Sequence, residues 1–326
     1  MDLVLAFSDR FFFTRFVYPI GWPEDSWSRQ LLSLLVITNV GGLLLYFATA
    51  GFSYFFIFDK KLLNHPQILK NQVSLEMEVA VKSIPLMSLP TVAIFFLEVQ
   101  GCSKLYDGSS LQNCWVTFAL DLIWSFVSFI LFTDCMIYWI HRALHHRLVY
   151  KYIHKVHHRW KVPTPFASHA FHPVDGFLQS CPYHLFPFIF PLNKLVYLAL
   201  FLVVNVWTVS IHDGDYRVPR FLRPIINGSA HHTDHHSFFD CNYGQFLTFW
   251  DRVGSSFRPP SAFEGKGPLF EVKKLAEKEN WMFCCITEPS IVCITLSLDT
   301  IRFALVFIFT CVLWQLLKIG RDGKSF

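Results

Sequence analysis

Four apolar stretches divide the chain, and three of them predict single membrane spans. Leu31–Phe58 contains 28 residues without a charged side chain, which as an α-helix would run about 42 Å at 1.5 Å per residue. Because a hydrocarbon core is about 30 Å thick, this stretch predicts one tilted or bent span, with Gly41 and Gly42 at the candidate bend. Ser83–Leu97 and Trp115–Ile140 predict the second and third spans.

The fourth apolar stretch, Gly176–Ile211, predicts a membrane hairpin. It carries a single charged residue, Lys194, and the Asn193-Lys194 pair divides it into two pieces of roughly one short span each. The chain should therefore enter the membrane, turn near Asn193 and leave on the face where it entered. Two further apolar stretches in the tail, Trp281–Leu298 and Phe303–Leu317, are short for spans, and their placement stays open.

The distribution of lysine and arginine predicts the orientation of these spans. The loop after the first span contains Lys60, Lys61 and Lys70, whereas the loop between the second and third spans contains Lys104. The stretch after the third span is the most basic and contains Arg142, Arg147, Lys151, Lys155, Arg159 and Lys161. Cytosolic loops carry the excess of positive charge, so the first and third of these loops should be cytosolic and the N-terminus lumenal.

Composition supports a membrane protein and excludes several other classes. Hydrophobic residues make up 53% and charged residues 16% of the chain, against about 25% charged residues in soluble domains. Disorder requires low hydrophobicity and high charge, so it is excluded. The 9 cysteines are an odd number without a CxxC pair, which argues against a disulfide scaffold. The net charge of +4 is too small and too scattered for a nucleic-acid surface.

Histidines are concentrated in one part of the chain and form three clusters. Fourteen of the 15 histidines lie between His141 and His236. Within each cluster the spacing of three or four residues puts imidazoles on one helix face. The candidate metal ligands are His141, His145, His146, His154, His157, His158, His231, His232, His235, His236 and, at the return end of the hairpin, His212.

So many imidazoles at a membrane surface could bind two metal ions. Imidazole suits iron, zinc, copper and nickel. Because imidazole is an uncharged ligand, we expect nearby carboxylates to orient the rings, and Asp134, Asp213 and Asp234 are the main candidates. His169 and His172 could be ligands, could orient the ligands or could contact substrate.

The apolar setting of these histidines favours oxidation of a lipid over hydrolysis. A water-activating HExxH motif is absent. Lipids present unactivated C–H bonds, which iron with O₂ can break but an acid–base pair cannot. The chain contains neither a dinucleotide-binding GxGxxG nor a haem-attachment CxxCH, so electrons should come from a separate cytosolic donor, docked on the basic stretch 142–161. A zinc-binding or zinc-transporting membrane protein without catalysis is the alternative from another class.

The three clusters resemble the histidine boxes of the fatty-acid hydroxylase/sterol desaturase superfamily. Four longer segments are similar to the Δ7-sterol 5-desaturase (lathosterol oxidase) family within it: Tyr138–Arg142, Pro163–Gly176, Ser210–Asp215 and Asn242–Gln245. The resemblance covers roughly residues 1 to 270. In related hydroxylases the first and last histidines of the first box bind metal, which implies His141 and His146 here and leaves His145 open.

The resemblance implies an all-α, multi-pass bundle in the endoplasmic reticulum membrane with a cytosolic, histidine-rich di-metal cap. Two non-haem iron ions would use O₂ and NAD(P)H-derived electrons, delivered by cytochrome b5 and its reductase, to convert lathosterol from the bilayer to 7-dehydrocholesterol. A sterol methyl oxidase or a lipid hydroxylase on the same scaffold remains open. The expected organisation is residues 1–114 with the first spans, 115–262 as the catalytic domain and 263–326 as a partly apolar tail.

Overall fold

The computed structural model of this chain describes residues 1–108 and 115–282, whose regular secondary structure is almost all helical. The N-terminal part comprises α1 (Asp2–Ser8), a π-helical turn (Asp9–Phe13), α2 (Thr14–Phe16), α3 (Trp27–Phe56), a 3-10 turn (Lys60–Asn64), α4 (Gln72–Val99) and a short strand, β1 (Leu105–Tyr106). The middle part comprises α5 (Trp115–Leu144), α6 (Arg147–Tyr150), 3-10 turns at His154–Arg159 and Pro165–His169, α7 (Pro173–Ile189), β2 (Leu192–Asn193) and α8 (Lys194–Ser210). The last part comprises α9 (Ser229–Phe238), α10 (Phe249–Val253), a 3-10 turn (Ser261–Glu264) and α11 (Pro268–Met282).

Within residues 1–108 and 115–282, three helices are long and apolar enough to cross a membrane, as the sequence predicts. They are Trp27–Phe56, Gln72–Val99 and Ala119–Leu144. Large apolar side chains on two of them, Leu44, Phe55, Leu120 and Trp124 among them, are exposed, as they would be when they face lipid. The chain is therefore a membrane protein of the all-α class.

Helix α4 continues through both of its prolines and begins well before the predicted span. The hydroxyl of Ser88 donates to the Pro85 carbonyl at 2.8 Å and accepts from the Asn39 amide of α3 at 2.8 Å. Such side-chain hydrogen bonds satisfy backbone carbonyls near a proline, which makes the proline tolerable inside a membrane helix. They also join α3 to α4, the most extensively packed pair of helices in the described chain.

The stretch predicted as a hairpin folds as two helices around a turn at Asn193. Arms α7 and α8 each have 17 residues, about 26 Å at 1.5 Å per residue. They contact each other through Tyr183 and Phe201, whose ring centroids lie 6.0 Å apart. A core of Phe129, Phe186, Leu192, Tyr197 and Leu200 joins them to α5. That the arms enter the membrane stays a prediction.

The tip of this hairpin meets the loop that precedes α5. Strands β1 and β2 pair in parallel, with Leu105 opposite Leu192. The Asn193 amide donates to the Gly108 carbonyl at 3.1 Å, and the Lys194 ammonium forms an ion pair with Asp107. The chain segments on either side of the hairpin, by contrast, run to the histidine clusters. The two ends of the bundle are therefore distinct, as the hairpin interpretation requires.

The apolar tail stretches fall almost wholly outside the described residues. Of Trp281–Leu298, only Trp281 and Met282 are described, as part of α11, and Phe303–Leu317 lies entirely beyond the described ranges. The expected placement of the tail, like the three-part domain division, stays a prediction.

Candidate metal centre

Nine imidazoles from the three predicted boxes and from His212 converge in two groups. Within each group one ring nitrogen per residue lies within 4.8 Å of all the others. The first group is His141, His145, His154, His158 and His235; the second is His157, His212, His232 and His236.

Four elements bring these rings together. His141 and His145 lie one helical turn apart at the end of α5, and the second box forms the 3-10 turn at 154–159. His212 follows α8 directly, so the return of the hairpin carries it to this end of the bundle. Helix α9 supplies the third box, and because its histidines are three and four residues apart they share one face.

The spacing between ring nitrogens fits metal coordination. In the first group, the Nε2 atoms of His154 and His158 lie 3.1 Å apart. In the second, the Nε2 atom of His232 lies 3.0 Å from that of His212 and 3.1 Å from that of His236. Imidazole binds metal at about 2.0–2.1 Å, which puts neighbouring ligand nitrogens about 3 Å apart. The two groups therefore match the donor sets of two metal ions.

Acceptors behind the rings fix which nitrogen faces the centre of each group. Nδ1 of His141 donates to the Tyr243 carbonyl at 2.9 Å, and Nδ1 of His154 donates to the Asp175 carboxylate at 2.7 Å. Nδ1 of His212 donates to the Thr208 carbonyl and Nδ1 of His235 to the Cys241 carbonyl, both at 2.7 Å. A proton held at Nδ1 leaves Nε2 as the free lone pair, the form that binds a metal.

Burial favours the neutral form of at least six of these imidazoles. Desolvation, followed by repulsion from neighbouring imidazoles, lowers the pKa of His157, His158, His232, His235 and His236 well below its usual value. Desolvation also lowers the pKa of His212 to about 4. Because metal binding requires the deprotonated ring, these groups are ready to coordinate at neutral pH.

The structure places the three expected orienting carboxylates on backbone and hydroxyl groups. Asp134 accepts from the backbone N–H groups of Phe246 and Leu247 at 2.7 and 3.2 Å, and so holds a loop. Among the described residues, Asp213 and Asp234 do not contact an imidazole either: Asp213 accepts from the Asp215 N–H, and Asp234 from the Ser261 hydroxyl and N–H. Asp175, which the sequence reasoning missed, bonds His154. The signal for it was its place at the start of a helix just after the second box.

Two of the expected ligands, His146 and His231, lie outside both groups. Helix α5 ends at Leu144, so His146 points to the surface, where its ring accepts from the Leu148 N–H as the N-cap of α6. His231 is buried beside Phe257 and Phe263, and neither ring nitrogen has a hydrogen-bond partner in the described chain. The first box therefore contributes its first and second histidines, whereas the family pattern implied its first and last.

The two histidines whose roles were left open, His169 and His172, are separated by the fold. His172 caps α7, with its ring accepting from the Val174 N–H at 3.2 Å. His169 lines an internal cavity and is hydrogen-bonded to Ser168 and Asn205. Of the two, His169 is therefore the one that faces a cavity.

This cavity joins the metal centre to the interior of the bundle. It encloses about 470 Å³, a volume within the range of small-molecule sites. His141, His157, His212 and His232 line one end, and Phe95 lies towards the other. The walls come mainly from α3, α4, α7 and α8 and are largely apolar. A long, apolar molecule could therefore reach both metal groups from within the bundle.

Comparisons with known proteins give one consistent result. The profile of the fatty acid hydroxylase family matches residues 126–256. The lathosterol oxidase of Mus musculus is 63% identical over 284 residues, 87% of this chain and 94% of that protein, and the one of Homo sapiens is 61% identical over 277 residues, 85% and 92% respectively. A Δ7-sterol 5(6)-desaturase of Leptosphaeria maculans is 51% identical over 249 residues, 76% of this chain and 68% of that protein. No solved structure matches the chain.

Proposed function

Because this chain belongs to the fatty acid hydroxylase family, and within it to the lathosterol oxidases, we propose that it is a Δ7-sterol 5(6)-desaturase with two iron ions bound by its nine clustered histidines. The names of its relatives, lathosterol oxidase and Δ7-sterol 5(6)-desaturase, support an oxidoreductase that acts on a sterol. The observation that carries the proposal is the position of both imidazole groups at one end of an apolar cavity. The family profile falls inside residues 115–262, which we propose as the catalytic unit.

The donor sets support two iron ions as the cofactor. Five imidazoles would hold one ion and four the other, with the rings fixed from behind by carbonyls and by Asp175. Iron is among the metals that imidazole suits, and when bound it would supply reduction of O₂ and cleavage of unactivated C–H bonds.

The reaction balances with one O₂ and two electrons. Lathosterol loses one hydrogen from C5 and one from C6 and gains the double bond of 7-dehydrocholesterol. The two hydrogens, two electrons from the donor and two protons convert O₂ to two molecules of water. The apolar cavity walls would exclude bulk water from this step and hold the rigid ring system beside the metals.

We propose cytochrome b5, reduced by its reductase with NAD(P)H, as the electron donor. Arg147, Lys151, Lys155 and Arg159 are exposed near the histidine groups. This basic surface would attract an acidic electron carrier and speed its association, most strongly at low ionic strength.

The same charges support the proposed orientation in the endoplasmic reticulum membrane. The Lys60–Asn64 turn lies at the histidine end, where Leu62 packs against Phe58 and Val162. Basic loops therefore cluster at this end, which favours a cytosolic position for it.

Expression in cells that lack their own 5-desaturase tests the proposed function. We expect the wild-type chain to consume accumulated lathosterol and to restore 7-dehydrocholesterol, and His235→Ala to do neither. Purified wild-type protein should contain two iron ions per chain. A 5-hydroxysterol or an oxidised methyl group as the product would instead favour a hydroxylase or a methyl oxidase. Zinc as the bound metal, with function retained in His157→Ala, would favour a non-catalytic metal protein.

A further inference from the structure

Four polar residues of the cavity wall lie beside the second histidine group. His169, Asn205, Thr208 and Gln245 line the cavity there. Thr208 connects this patch to the metal centre, because its carbonyl accepts from Nδ1 of His212 at 2.7 Å and its hydroxyl accepts from the Gln245 amide at 3.1 Å. The side chain of Gln245 is therefore only two contacts away from a proposed metal ligand.

The proposed reaction determines which end of a sterol approaches this patch; this step rests on the proposed function. In a sterol the 3-hydroxyl is attached two bonds from C5, so it must lie close to the metals when C5 reacts. The alkyl tail at the opposite end must then extend away from the metals. The cavity runs along α8 from Ile211 to Leu198, a distance of about 20 Å at 1.5 Å per residue, which provides room for the rings and the tail.

Most polar groups of the patch already have partners. His169 is bonded to Ser168 and Asn205, and the Asn205 amide donates to the Phe201 carbonyl at 2.8 Å. The Thr208 hydroxyl donates to the Val204 carbonyl at 2.9 Å. In the described part of the chain, the Oε1 atom of Gln245 has no hydrogen-bond partner. It is therefore a free acceptor within this patch. Gln179, whose amide donates to Asp175 at 2.7 Å, carries another side-chain oxygen in the cavity wall that is unpaired among the described residues.

The backbone of Gln245 is held independently of its side chain. Its carbonyl accepts from the Trp207 indole N–H at 2.6 Å. The next residue, Phe246, donates its N–H to Asp134 at 2.7 Å. A substitution of the side chain can therefore leave the loop, and the carbonyl of Tyr243 behind His141, in place.

We infer that the sterol binds with its 3-hydroxyl towards the metal centre and its tail towards Phe95, and that Gln245 accepts the hydrogen bond from that hydroxyl. A sterol hydroxyl has one hydrogen to donate, and the Gln245 oxygen supplies the matching acceptor within reach of the reacting carbons. Gln245 is thus a specificity-determining residue: it selects free sterols over molecules of the same shape without the hydroxyl.

The test compares lathosterol with its 3-deoxy analogue in the iron-loaded full chain, supplied with cytochrome b5, its reductase and NADH. Because a buried acceptor left without its partner is penalised, we expect the wild-type chain to prefer lathosterol in kcat/KM by roughly ten- to hundredfold. Gln245→Met keeps the length of the side chain and removes the acceptor. It should lose activity on lathosterol but not on the analogue, so that the ratio of the two kcat/KM values falls to near unity. Gln100→Met, the same change at an exposed position, should keep the preference.

The possible failures are distinguishable. If the wild-type chain does not convert lathosterol, the proposed function fails. If it converts both sterols equally, or if Gln245→Met retains the preference, the function stands and the inference is overturned. Equal loss on both sterols in Gln245→Met, with less iron bound, would show that Gln245 only supports Thr208 and His212, and would also overturn it. Loss of the preference in Thr91→Val but not in Gln245→Met would place the hydroxyl at the opposite end.

Discussion

The carboxylate of Asp175 lies 2.7 Å from Nδ1 of His154, and both side chains are completely buried. The two residues belong to different elements: His154 begins the turn that carries the second box, whereas Asp175 lies in the first turn of α7. The contact therefore fixes the orientation of a proposed ligand relative to the hairpin. It also puts a negative charge beside a cluster of neutral donors, where it can offset the charge of a bound metal.

Replacing Asp175 should weaken metal binding without removing a ligand. Asp175→Asn keeps the size of the side chain and removes its charge, and loss of such an orienting partner typically costs about 10–100-fold in metal affinity or activity. Iron content after dialysis against a graded chelator, together with conversion of lathosterol, measures the effect. Asp215→Asn is the control, because Asp215 pairs with exposed Arg217. Iron retention equal to the wild type in Asp175→Asn would contradict the proposed role.

Substitutions in the first box should distinguish the proposed metal ligand His145 from its neighbour His146. His145 belongs to the first group of imidazoles, whereas His146 is exposed and caps a helix. We expect His145→Ala to lose iron and to reduce sterol conversion at least about tenfold, and His146→Ala to retain both within about twofold. Iron per purified chain and the sterol profile of expressing cells check this. The reverse result would restore the family pattern of first and last histidine.

The assignment of His145 over His146 illustrates what the sequence could and could not predict. The spans and the boxes follow from local patterns, namely uncharged runs of sufficient length and histidines three or four residues apart. The choice between two adjacent histidines depends on the residue at which α5 ends, and Leu144 is its last residue. A shift of one position turns a side chain by about 100°, since a helix has 3.6 residues per turn. The spacing of histidines in the box alone therefore does not determine which of the two adjacent rings joins the cluster.

The hydrogen-bond acceptors of the histidine rings could not be predicted from the sequence, for a different reason. Asp134, Asp213 and Asp234 were chosen because they lie near boxes or near His212 along the chain, yet their bonds go to backbone groups and hydroxyls. Three of the four acceptors behind the rings are backbone carbonyls. Every residue has a carbonyl, so no residue type marks such an acceptor before the loops are placed.

The buried ring of His231 should be dispensable for metal binding. It lies between Phe257 and Phe263, and both of its nitrogens lack partners in the described chain. A buried polar group without a partner costs about 1–3 kcal/mol, so His231→Leu should raise the free energy of unfolding by about 1 kcal/mol. Thermal unfolding in detergent should show a higher midpoint at unchanged iron content. His235→Leu provides the contrast, since it should lose iron. Loss of iron in His231→Leu would mean that this ring is a ligand after all.

The metal-free protein should be less stable in mild acid. Burial lowers the pKa of His212 to about 4, and an unfolded histidine titrates near 6.5. Between these values the unfolded chain binds more protons than the folded one, so the free energy of unfolding falls as the pH drops from 6.5 towards 4. The imidazoles of His157, His158, His232, His235 and His236, whose pKa values burial also lowers, act in the same direction. Chelator-treated protein should therefore unfold at lower denaturant concentration at pH 5 than at pH 7. An identical midpoint at both values would show that the rings are charged or exposed without metal.

Labelling from the two sides of the membrane should distinguish the two ends of the bundle. Asp107 meets the tip of the hairpin through Lys194 and is exposed, whereas Lys155 is exposed within the second box. In a cysteine-free background, an impermeant maleimide added to sealed microsomes should label Lys155→Cys at once and Asp107→Cys only after the membrane is permeabilised. The hairpin returns His212 to the side of the boxes, so both results are needed for one metal centre at the cytosolic face. Labelling of both cysteines in sealed microsomes would put the tip on the cytosolic side and contradict the membrane hairpin. Reversed labelling would keep the two-ended bundle and place the histidines in the lumen, out of reach of a cytosolic electron donor.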